Sequence, residues 1–82
     1  MDVVEIGEPI AVLAAFSGGD IRPVAFDWHK KHYRVDAVNG RWIDRTRQCP
    51  TRHFSVQVGD ETYIIHLAAD EAQWWLDQVI TE

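Results

Sequence analysis

The chain has 82 residues, 46% of them apolar and 26% charged, with a formal net charge of −5. A chain this short forms one domain and buries roughly 60% of the surface its unfolded form exposes; its balance excludes a disordered or collagen-like protein. No apolar run approaches the ~18 residues of a membrane span, and a single cysteine can make neither an internal disulfide nor a zinc–thiolate cluster.

The opening Met1-Asp2-Val3-Val4-Glu5 is acidic, unlike a secretory signal, so a reducing cytoplasm is the expected location. Glu8-Pro9 introduces an apolar run from Ile10 to Phe16. Both of its faces are apolar, but the flanking Pro9 and Ser17-Gly18-Gly19-Asp20 favour a strand ending in a turn. Ile21 to Trp28 reads as a strand with Val24, Phe26 and Trp28 on one face, and Pro23 belongs at its start or at an edge. His32 to Val38 alternates again, with Tyr33, Val35 and Ala37 on one face. A two-residue turn at His29-Lys30 would set Phe26 opposite Tyr33, Val24 opposite Val35, Asp27 opposite His32 and Trp28 opposite Lys31.

Asn39-Gly40 permits two structures: a hairpin pairing Val38 with Arg41, or one long strand bent at a bulge. Arg45 to Thr51, with Cys49-Pro50, reads as a loop. Phe54, Val56 and Val58 then alternate up to Gly59-Asp60, which fits a glycine-first type II′ turn. The partner strand, Glu61 to Ala68, would set Phe54 opposite Ile65, Val56 opposite Tyr63, Ser55 opposite Ile64 and His53 opposite His66. Residues 70–80 are ambiguous. Asp70-Glu71-Ala72-Gln73 resembles a helix capping box ahead of a stripe of Ala72, Trp75, Leu76 and Val79. The alternative is a turn followed by a strand from Trp74 to Ile80, with Trp74 and Trp75 on opposite faces.

Glu8-Pro9-Ile10-x-Val12, Pro23-x-x-Phe26-x-Trp28, Tyr33-Arg34-Val35-x-x-Val38, Arg41-Trp42, Tyr63-x-x-x-Leu67 and Trp74-x-Leu76-x-x-Val79 together resemble a small bacterial family, a domain of unknown function, along nearly the whole chain. The resemblance implies a β-sheet fold that includes the final strand, and the family's setting near lesion-bypass DNA polymerases would associate it with DNA repair. Lys30 stands where such members carry a turn glycine, and a non-glycine residue at positive φ costs energy.

All eight Lys and Arg residues fall between Arg22 and Arg52, opposed there only by Asp27, Asp36 and Asp44; the flanks hold ten acids and no base. Such asymmetry marks either an anion-binding face or acidic flanks folded back over basic strands. Arg34, Arg41, Trp42, Arg45, Arg47 and Arg52 are the candidate binding residues. An aromatic ring flanked by arginines suits base stacking with backbone tracking, and equally a protein-binding hot spot. His53 and His66, facing across a hairpin, are half of a tetrahedral metal shell, whose third ligand would be Cys49 or a loop acid. Cys49 lies between Arg47 and Arg52, cations that favour a thiolate, but no glycine-rich cradle follows it. No nucleophile–base arrangement or phosphate loop stands out, so neither enzymatic activity nor a cofactor is expected.

The expected fold is therefore an all-β antiparallel meander of five to seven strands, curled or closed into a partly open SH3-like barrel. The expected function is a non-enzymatic module that binds another protein or itself, the latter as a homodimer. The alternative is a nucleic-acid-binding module using residues 22–53 with Trp42 stacking.

Overall fold

A computed structural model describes all 82 residues. Seven antiparallel strands form a single curled sheet: β1 (Asp2–Ser17), β2 (Asp20–Trp28), β3 (Lys31–Arg34), β4 (Ala37–Asp44), β5 (Thr51–Val58), β6 (Glu61–Ala68) and β7 (Gln73–Thr81). Their spatial order is β3-β2-β1-β7-β6-β5-β4, a half-barrel of the expected all-β class. No helix is long and apolar enough to cross a membrane.

Turn chemistry sets most of the registers. Gly18 and Gly19 both have positive φ, so β1 and β2 join through a tight hairpin that pairs Ser17 with Asp20. His29 and Lys30 are also left-handed, with φ of 52° and 65°, and the β2–β3 register is the one their two-residue turn demands: Phe26 with Tyr33, Asp27 with His32 and Trp28 with Lys31. Gly59 (φ 58°) begins the β5–β6 turn, and Phe54 pairs with Ile65, Val56 with Tyr63 and His53 with His66.

β1 is the strand around which the sheet curls. Its first half pairs with β7 from Asp2–Thr81 to Ile10–Trp74, and its second half pairs with β2 from Ala11–Asp27 to Ser17–Asp20. The chain carries an additional residue opposite β7 between Glu5 and Glu8, where Gly7 takes φ 68°. The concave face buries Ile10, Phe26, Phe54, Val56, Tyr63, Ile65, Leu76 and Val79. Full burial of each large side chain among these contributes about 1.5–3 kcal/mol. Phe26 stacks on Tyr33 at 5.0 Å and meets Tyr63 edge-on at 5.3 Å. The buried Tyr63 hydroxyl donates to Glu61 at 3.1 Å, and burial raises its pKa.

The first strand starts at Asp2, eight residues before Ile10, because the β7 ladder extends it. Residues 32–38 are two strands: Val35 N–H donates to Val24, but Asp36 N–H donates to Gln57 and its carboxylate accepts from Gly59 N–H, carrying the chain across to β5. Asn39-Gly40 is a bulge inside β4, since Val38 pairs with Val56 and Gly40 with Ser55. The capping-box residues form one 3-10 turn (Ala69–Glu71) that stops at left-handed Ala72, and β7 follows.

The left-handed backbone at His29 is offset by its ring, which stacks on Trp28 at 4.4 Å and meets Glu8 at 2.8 Å. Lys30 makes no such contact. Lys30→Gly is therefore expected to stabilise the fold by about 1 kcal/mol, read as a higher urea midpoint with an unchanged slope.

Candidate functional site

On the convex face, away from the core, four adjacent strands set four rings in a row. Trp42 on β4 pairs with His53 on β5, His53 with His66 on β6, and His66 with Trp75 on β7. The rings are nearly parallel. Trp42 and His53 have centroids 5.5 Å apart, His53 and His66 4.8 Å, and His66 and Trp75 6.5 Å. Trp74, one residue earlier, turns inward against Phe54. The two tryptophans thus occupy opposite faces, as a strand requires.

Asp77 joins this row through a bulge. Ile64 pairs with Gln78 and Ile65 with Leu76, which leaves Asp77 as the unpaired additional residue of β7. Leu76 and Val79 are both buried, so Asp77 and Gln78 between them both face outward. The Asp77 carboxylate accepts from His66 Nδ1, with both oxygens at 2.8 Å, and its Oδ2 lies 3.8 Å from His53 Nδ1. The far side of the His53 ring is also held: Nε2 is 2.8 Å from the hydroxyl of Thr51, which is 2% exposed. The side chains of His53 and His66 are each 15% exposed and that of Asp77 is 27% exposed. One ligand atom from each of the three falls within 4.8 Å of the others. Desolvation pushes the His53 pKa below its ordinary 6.5, and neighbouring His66 pushes the same way; Asp77 and Asp44 act in opposition.

The facing of His53 and His66 is as the sequence implied, but the third group differs from both expected sources. Cys49 is exposed in the β4–β5 loop, and the carboxylate comes from β7. His29 and His32 each engage their own acid, Glu8 and Asp27, at 2.8 Å and 2.7 Å. Glu8 also accepts from Trp28 Nε1 at 3.2 Å, and these two hydrogen bonds, that from Trp28 foremost, lower its pKa.

The basic candidates divide between faces. Arg41 pairs with Phe54 and Arg52 with Ile43, on the concave side. With Asp20 and Ile21 they line a cleft of about 360 Å³. Arg41 is engaged by Asp20 at 2.8 Å, an acidic flank folded back on a basic strand. The loop bearing Arg45 and Arg47 leaves β4 beside this cleft, whereas Arg34 pairs with Ala25 on β2 and does not line it. Trp42, 45% exposed, presents its ring to His53 on the other face.

No protein-family model, curated protein or solved structure matches the chain.

A histidine whose folded-state pKa lies below 6.5 costs no stability while both states are neutral. It destabilises the fold as the pH falls through 6.5 towards the folded-state pKa. With chelator present, the unfolding free energy is expected to drop across that window, and His53→Gln is expected to flatten the drop. Parallel pH profiles for the two proteins would contradict this.

Proposed function

We propose that the protein is a non-enzymatic interaction module that associates through β1, with a second copy of the chain as its partner. The observation that carries this reading is the state of β1. Its residues before Ile10 are hydrogen-bonded on one side only, to β7, so that edge offers a row of free N–H and C=O groups. Three of the seven exposed large apolar side chains, Met1, Val3 and Val4, lie in this stretch, and two more, Leu13 and Phe16, lie farther along β1 where it pairs with β2. An open antiparallel edge is self-complementary across a two-fold axis, because each strand supplies the donors and acceptors its copy lacks.

The nucleic-acid alternative has less support. Stacking on Trp42 with backbone tracking by Arg41 needs both on one face, and they lie on opposite faces. Asp77 and Asp44 add negative charge around the ring row. Arg52 and the Arg45–Arg47 loop remain the basic surface such a ligand would meet.

Sedimentation velocity over a concentration series tests the proposal. Wild type is expected to move from monomer to dimer as concentration rises, and Val4→Lys and Leu13→Asp to remain monomeric with unchanged far-UV spectra. A wild-type chain that stays monomeric throughout, or variants that dimerise equally well, would contradict it.

A further inference from the structure

We propose that His53, His66 and Asp77 bind one divalent first-row transition-metal ion on the convex face, with a fourth position open to solvent. Two imidazoles and one carboxylate are the donors that zinc, iron and their neighbours take up, whereas calcium and magnesium require all-oxygen shells. Metal–ligand bonds of about 2.0–2.1 Å in tetrahedral geometry place donor atoms about 3.3 Å apart. The observed 2.8 Å from His66 Nδ1 and 3.8 Å from His53 Nδ1 to Asp77 Oδ2 bracket that separation. The ladder supplies the preorganisation: adjacent strands fix His53 beside His66, and the bulge fixes Asp77.

The surroundings match those of metal-bound histidines. Such a histidine commonly donates its other ring N–H to a fixed outer partner. His53 Nε2 has the buried Thr51 hydroxyl at 2.8 Å, and in that tautomer Nδ1 presents a lone pair toward the carboxylate. Nδ1 and Asp77 Oδ2, at 3.8 Å, are then two electron-pair donors facing one another across a gap that a cation fills. No Lys or Arg pairs with Asp77; its partners are the two histidines. Trp42 and Trp75 close the row at either end. On binding, the ion takes the place of the proton between His66 Nδ1 and Asp77, which leaves to solvent.

The test uses the 82-residue chain, stripped with EDTA and dialysed. Calorimetric titration with ZnCl2 is expected to give one ion per chain with micromolar or tighter affinity. Co2+ is expected to develop the visible bands of a four- or five-coordinate ion. Asp77→Asn and His66→Gln should each weaken binding at least tenfold, and Thr51→Val by about 10–100-fold. Cys49→Ser should leave it unchanged. On the unsubstituted chain, zinc should shift the ring resonances of His53 and His66 and leave those of His29 and His32 in place, a readout independent of any variant's folding. Absence of binding up to millimolar zinc, or binding that survives Asp77→Asn and is lost in Cys49→Ser, would overturn the proposal. So would zinc-induced shifts at His29 and His32 alone.

Discussion

β7 must satisfy two hydrogen-bonded neighbours at once, β1 on one side and β6 on the other. It does so by carrying Asp77 as an unpaired residue in its ladder with β6, while β1 bulges in turn between Glu5 and Glu8. Without that additional residue, strict alternation would break the inward placement of Leu76 and Val79, the two β7 side chains of the core. The same irregularity turns Asp77 outward beside His66. Core packing and the convex-face cluster therefore have a common cause, and shifting the β7 register would disturb both.

β1 has the complementary role. A sheet of seven strands on 82 residues cannot cover both faces, and it curls so that one face becomes the core. β1 allows the curl by pairing with β7 along one half and β2 along the other. Across the opening Arg41 pairs with Asp20, and Ile21 packs against the core at its base. The free half-edge of β1 with its exposed Val3 and Val4, and the exposed Leu13 and Phe16 of the other half, are what that geometry leaves over.

Much of this was legible from residues alone, and the physical reason is locality. Two-residue turns fix register by counting, so Phe26 opposite Tyr33 and His53 opposite His66 followed from His29-Lys30 and Gly59-Asp60. Asn39-Gly40 stayed open because its local chemistry serves a turn and a bulge equally. The choice is made by β5, which pairs with residues on both sides of it. Asp77 was missed for the same reason: a bulge exists only relative to neighbours. Its one local trace was the three-residue spacing of Leu76 and Val79, which also made a helix plausible. The basic segment left two arrangements open, one anion-binding face or acidic flanks folded back over basic strands, and the Arg41–Asp20 pair is of the second kind. Contiguity from Arg22 to Arg52 does not say whether the side chains share a face; alternation along β4 sends Arg41 and Trp42 to opposite sides.

The convex-face site depends on cross-strand pairing and the β7 bulge locking His53 between Thr51 and Asp77 with Nδ1 free to take the ion. Long-range proton–nitrogen correlation spectra of the metal-free chain near neutral pH observe that atom directly. His53 is expected as a single neutral tautomer with its proton on Nε2, hydrogen-bonded to Thr51. A proton on Nδ1, or the averaged signals of a freely exchanging surface histidine, would contradict it.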